Sequence, residues 1–235
     1  MLAFMIPALL MTSCLLVIVI LAWGSFSICS GIYLKAICRS KIKQKQLALT
    51  FDDGPHPEYT PAVLDLLKKN NIKAGFFPIG SHSVQHEDLI KRIHQEGHMI
   101  GNHSYTHANN FGFWGTKRLV TDLRRNEALI SDIIGERMKL FRPPFGVSNP
   151  NIARAARLLD YTVIGWSIRS LDGIRKRREK TIGRVIRRLG PGKVILFHDN
   201  HENIIFILEE VIKKATADGY AFVSPEILLN IKAYQ

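Results

Sequence analysis

Two carboxylates stand side by side in Thr50-Phe51-Asp52-Asp53-Gly54-Pro55, behind an apolar run and ahead of a Gly-Pro pair that forces a turn. Adjacent acids repel unless something positive shares them. Taken alone the pair reads as two solvated acids at a turn. In Gly101-Asn102-His103-Ser104-Tyr105-Thr106-His107 two histidines lie four apart, a spacing that puts both imidazoles on one face of a helical turn and within reach of one ion. With one carboxylate they form a two-His, one-Asp set that leaves positions open for water. Phe141-Arg142-Pro143-Pro144-Phe145-Gly146 is a rigid segment in which Arg142 can neutralise one of the paired acids. Ile164-Gly165-Trp166-Ser167-Ile168-Arg169-Ser170-Leu171-Asp172 offers Trp166 as an apolar wall with Asp172 beyond it. Val194-Ile195-Leu196-Phe197-His198-Asp199 is an apolar run that closes on a histidine, where an imidazole can exchange protons with a substrate.

These stretches need elements that bring them to one place. Hydrophobic patterning predicts strands over 47–51, 74–79, 99–103, 140–141, 162–166, 194–197 and 220–223. Helices are predicted over 61–70, 87–96, 117–134, 150–158, 178–189 and 202–217, with no internal repeat. Strand-helix alternation argues a parallel α/β architecture, barrel or open sheet. Both place reactive groups at the carboxyl ends of the strands, where the stretches above fall.

The chain has 235 residues, 46% hydrophobic and 22% charged, which excludes a disordered or fibrous protein. Its first charged side chain is Lys35. The uncharged run from Leu2 to Trp23 would measure about 33 Å as a helix, enough to cross a membrane. A cleaved signal peptide would want a basic start, and nothing positive precedes the apolar core. The neutral stretch continues to Leu34, which leaves room for a short re-entrant segment, although one span is simpler. The expected organisation is a transmembrane anchor (1–34), a basic juxtamembrane collar (35–45) and one catalytic domain (46–235).

The formal net charge is +12, but Lys35, Arg39, Lys41, Lys43 and Lys45 crowd the collar without an acid among them. A nucleic-acid partner is therefore not expected. The positive-inside rule puts collar and domain on the cytoplasmic side; a collar that merely meets anionic headgroups is the other reading. Cys14, Cys29 and Cys38 fall in or beside the apolar lead, so no disulfide framework is expected in the domain. His56 and His201 could touch a substrate, whereas His82, His86, His94 and His98 read as surface or helix-flank residues. The run Arg175-Lys176-Arg177-Arg178-Glu179-Lys180 reads as a solvated face, with contact to anionic lipid or a sugar phosphate as the alternative.

The order of these motifs over roughly 47–229 resembles the polysaccharide deacetylases with the NodB homology domain, carbohydrate esterase family 4. The resemblance implies an α/β fold, a distorted (β/α) barrel, here preceded by the transmembrane helix. Asp53, His103 and His107 would be the ligands of one divalent metal ion, zinc, with cobalt, nickel or manganese as alternatives, and Ser104 would steady them. Asp52 would be the base, held by Arg142. His198 would be the acid, oriented by Asp172. Phe145 would supply the oxyanion donor, with Pro144, Trp166 and Leu196 around the substrate. The family commonly reads Asp-x-x-Asp-Trp where this chain reads Arg169-Ser170-Leu171-Asp172-Gly173, so the first Asp and the Trp are absent. The implied activity is a membrane-anchored N-deacetylase acting on an N-acetylated glycan, peptidoglycan or chitin-like. A deacylase or deformylase of a lipid-linked amino sugar at the cytoplasmic leaflet is the alternative, and a non-catalytic glycan-binding module the third reading.

Overall fold

The computed structural model describes residues 2–173 and 177–235, with side chains from Leu10 onward. Its elements, in chain order, are α1 (Leu2–Phe26), β1 (Ala36–Ile37), β2 (Gln46–Asp52), α2 (Tyr59–Lys69), β3 (Gly75–Phe77), α3 (Gly80–Ser83), α4 (Glu87–Gln95), β4 (Met99–Ile100), α5 (Thr116–Ile134), β5 (Leu140–Phe141), α6 (Pro150–Leu158), β6 (Thr162–Ile164), β7 (Ile168–Arg169), α7 (Arg178–Ile186), β8 (Lys193–His198), α8 (Ile204–Ala217), β9 (Ala221–Phe222) and α9 (Pro225–Leu229). Seven strands fall where patterning put them, most of them shorter, while β1 and β7 were not expected. α6 starts and stops as expected because Asn149 accepts a hydrogen bond from Ile152 N and Pro150 opens the first turn.

All pairings between these strands are parallel. One sheet runs β4-β3-β2-β8-β7, with β9 against the start of β2, and the other runs β1-β6-β5. A bridge between Asn102 and Phe141 joins the two, and Ser167 N donates to Val194 O where the chain crosses from β6 to β7. The result is a distorted (β/α) barrel. Strand β2 shows how it is layered: Leu47, Leu49 and Phe51 pack with Leu64, Leu67, Leu208 and Val211 of the surrounding helices. Ala48 belongs with Phe77, Met99, Leu140, Ile164 and Val194. The period-2 alternation thus sends Thr50 and Asp52 to the same side as Ala48.

The N-terminal region departs from its expected organisation. Helix α1 ends at Phe26, and the chain turns back instead of continuing as an apolar segment. Ile28 and Leu34 are buried in a core cluster of the domain, and β1 pairs with β6. Ser148 holds the junction, its N donating to Ser25 O and its Oγ to Gly24 O. Boundaries at 34 and 45, drawn from charge, therefore cut through packed structure. The expectation of no disulfide is also corrected, since Cys29 and Cys38 are bonded. Counting cysteines along an apolar lead could not show that the lead folds back onto the barrel. Among the residues whose side chains are described, Leu10 onward, no helix is long and apolar enough to cross a membrane. Arg175 and Lys176 of the basic run lie outside the described residues; Arg177, Arg178, Glu179 and Lys180 are exposed, as a solvated face should be.

Candidate active site

Asp52 closes β2 facing the barrel interior, and the next residue, Asp53, turns away in a left-handed conformation (φ 74°) that Asp tolerates better than most residues. Gly54 follows because nothing larger fits: a Cβ there would sit 2.4 Å from Asp199 Oδ2. Asp52 Oδ1 accepts a hydrogen bond from Arg142 Nη1 at 2.7 Å. Arg142 is fully buried, and its other N–H groups reach Thr50 Oγ1 (3.0 Å), Ile164 O (3.1 Å) and Gly165 O (3.0 Å), with Phe77 beneath the guanidinium. This buried guanidinium is thus matched by one carboxylate and three neutral acceptors.

Asp53 Oδ1 lies 3.4 Å from His103 Nε2 and 3.4 Å from His107 Nε2. These three residues each offer a ligand atom, all within 4.8 Å of one another. Ligand atoms about 2.1 Å from a tetrahedral ion are about 3.4 Å apart, so the spacing suits a divalent transition cation. His103 Nδ1 donates to Arg142 O at 2.7 Å, a carbonyl that can only accept, and Nε2 keeps its lone pair. Burial, then neighbouring His103, pushes His107 down to about 4, so its imidazole is neutral at neutral pH. Burial alone would raise the Asp53 carboxyl, but the imidazoles around it, His103 foremost, hold it well below the usual range. The donor set fits a metal ion.

The two histidines do not share a helical turn. Ser104 (φ 71°) and His107 (φ 47°) are left-handed, and the loop is shaped by Asp122 of α5. Asp122 accepts from Ser104 Oγ, Tyr105 N, Thr106 N and Thr106 Oγ1, while Ser104 Oγ accepts from His107 N. Sequence reasoning missed Asp122. Its signal was a polar residue on the apolar stripe of α5, beside Leu119, Leu123 and Ile130. Two other supports were missed. His82 Nδ1 is 3.0 Å from Asp53 O, and Asp199, pushed up to about 7 by burial, accepts from Thr60 Oγ1 beneath the Gly54 turn. His98 is no surface residue: it is buried, its Nδ1 accepts from Ala74 N, and burial pushes it down to about 4.

His198 is held by Asp172 from both sides, Nδ1 to Oδ1 at 2.8 Å and the backbone N to Oδ2 at 2.8 Å. Ser170 Oγ donates to the same carboxylate, and His201 Nε2 lies 3.2 Å from Oδ2. Burial disfavours the charged imidazole, but the hydrogen bond and charge of Asp172, with Asp52 and Asp53 nearby, raise His198 to about 9. It is therefore protonated at neutral pH, with Nε2 4.0 Å from Asp53 Oδ2. A cavity of about 80 Å³ separates these groups, walled by Phe145, Gly146, Trp166, Leu196 and Arg169. At ~30 Å³ per water it has room for an acyl group rather than a sugar ring. Gly146 (φ 69°) must be glycine, since a Cβ would meet Trp166 Cη2 at 2.3 Å. Phe145, also left-handed (φ 60°), lays its ring 4.6 Å from that of His107. Pro144 is buried in the turn behind this wall.

Residues 39–164 match the sequence profile described as polysaccharide deacetylase, more than half of the chain. The chain belongs to the polysaccharide deacetylase family. It is 33% identical over 188 residues to the peptidoglycan N-acetylglucosamine deacetylase PgdA of Listeria monocytogenes, an alignment covering 80% of this chain and 40% of that protein. The chain thus spans less than half the length of that relative. A peptidoglycan N-acetylglucosamine deacetylase of Bacillus cereus is 32% identical over 80% of this chain and 90% of its own. The solved structure of the peptidoglycan deacetylase PdaC of Bacillus subtilis, which is named as acting on N-acetylmuramic acid, superposes with a TM-score of 0.74 at 33% identity, covering 80% of this chain and 91% of that one. The match to the family profile ends before Asp172 and His198, so the pairing of those two is known from the geometry alone.

Proposed function

We propose that this protein removes the acetyl group from N-acetylated amino sugars of peptidoglycan, with one divalent cation, zinc by its two-nitrogen, one-oxygen donor set, held by Asp53, His103 and His107. One observation carries the reading: ligand atoms and two proton carriers from separate strand ends surround a cavity sized for an acetyl group. The names of the relatives supply the glycan.

A cation held there supplies a Lewis acid for the amide carbonyl and lowers the pKa of the attacking water. Asp52 is the proton acceptor. Arg142 engages its Oδ1, while Oδ2 sits 3.9 Å from His103 Nε2, on the side where the water must lie. The backbone N–H of Phe145, beside the cavity, would be the donor for the oxygen that gains charge as the amide carbon becomes tetrahedral. His198 then gives its Nε2 proton to the departing nitrogen, so the C–N bond breaks to a neutral amine and acetate. Asp172 keeps that imidazole charged and aimed until then. We expect the full chain to release acetate from purified peptidoglycan, to stop when a chelator is added, and to recover with a divalent ion. No acetate from any N-acetylated glycan in the presence of the ion would end this reading.

We further propose that α1 anchors the protein. It carries no charged residue, and Leu10, Met11, Leu15, Leu16 and Ile18 are each more than half exposed, an apolar surface that water would not favour. The Cys29–Cys38 bond favours a domain on the outer face, because disulfides persist in oxidising compartments. This takes away the motive for a deformylase at the cytoplasmic leaflet. An enzyme reporter fused after Gln235 that is active only outside the cell is the expected result; activity only inside would reverse the placement.

A further inference from the structure

We infer that the site selects an N-acetylated amino sugar that carries a carboxylate close to the reacting acetamide, and that Arg169 is the residue that reads this charge. The inference deepens the deacetylase reading and rests on it for the identity of the sugar.

Arg169 ends β7, in register with Leu196 of β8, and both line the cavity. The other ionisable groups there have partners inside the protein. Asp52 has Arg142, Asp53 has both ligand histidines, and His198 has Asp172. Arg169 has none among the described residues: its Nε is buried without a hydrogen-bond partner, and no carboxylate lies within ion-pair distance of its guanidinium. Its guanidinium lies 5.8 Å from the Trp166 ring, a weak attraction at that range. Its backbone carbonyl accepts from Arg184 Nε, a second cation that fixes the strand end and cannot neutralise the first.

A guanidinium group with a desolvated, unused donor at the wall of a substrate cavity costs free energy unless a ligand supplies the acceptor. Its planar fork suits a carboxylate. A neutral N-acetylglucosamine unit offers that cation only hydroxyls. An N-acetylated sugar with an ether-linked carboxylate, as in N-acetylmuramic acid that carries no peptide on that group, offers a full negative charge three bonds from the ring carbon next to the one that bears the acetamide.

The test compares two saccharides that differ in one group, the free carboxylate and the same compound reduced to the alcohol, using the full chain in detergent with its divalent ion. The acid should be preferred about tenfold in kcat/KM, the size of one charge-assisted contact. Arg169→Gln should bring that ratio close to one, whatever it does to both rates. Arg169→Lys, which keeps the charge and loses the fork, should fall between. A ratio near one in the unmodified protein, or a ratio unchanged in Arg169→Gln, would overturn the inference, the latter by showing a purely structural role. Binding of the same pair to an Asp52→Asn variant separates the two claims. If no acetate is released from either compound but the acid binds about tenfold tighter and Arg169→Gln abolishes this, the reaction has been misassigned and the charge reader stands. If acetate is released and neither binding nor turnover distinguishes the pair, the reverse holds.

Discussion

Replacing Asp52 by Asn is expected to lower kcat/KM for acetate release about a thousandfold, within the range for removal of a positioned general base. The amide keeps an oxygen for Arg142 Nη1, so the local hydrogen bond survives, but it cannot take a proton from water. Asp53, His103 and His107 are untouched, and metal content measured on the purified variant should match that of the parent. Loss of turnover with metal retained separates the two adjacent acids into two jobs. Turnover within tenfold of the parent would remove Asp52 from the base role.

Replacing Arg142 by Met is expected to destabilise the fold by about 3–5 kcal/mol, the usual cost of stripping one partner from a buried ion pair. For a domain of this size that lowers Tm by roughly 6–20 °C. The cause is visible in what is left behind. Asp52 becomes a buried carboxylate without a cation, and Thr50 Oγ1, Ile164 O and Gly165 O each lose a donor. Adding Asp52→Asn to Arg142→Met should return part of the lost stability, because the orphaned charge is then removed as well, while activity stays absent. Thermal unfolding of the two single variants and the double variant measures the coupling. A single Arg142→Met variant within about 1 kcal/mol of the parent would show that the pair is not what holds the barrel top together.

Much of the site was legible because it is written at strand ends. Each reactive group follows an apolar run whose period is local, so Asp52, Asp53, His103, Arg142, Asp172 and His198 could be placed before any coordinates were known. Spacing misled for His103 and His107. Four residues apart suggests a helical turn, yet the loop is held in a left-handed path by Asp122, a residue whose role depends on a helix packed across from it. The N-terminal lead misled in the same way. Charge and hydropathy divide residues 27–38 between an anchor and a basic collar, whereas pairing with β6 and the Cys29–Cys38 bond make them part of the barrel wall.

From the sequence alone came the parallel α/β class, the carboxyl-end location of the chemistry and the residue types at each end, because side-chain periods of 2 and 3.6 depend only on neighbours along the chain. Tertiary structure decided which acid meets which cation. Arg142 reaches Asp52 across 90 positions and leaves Arg169 without an acid among the described residues, and these outcomes follow from strand register and barrel curvature, which no local pattern encodes.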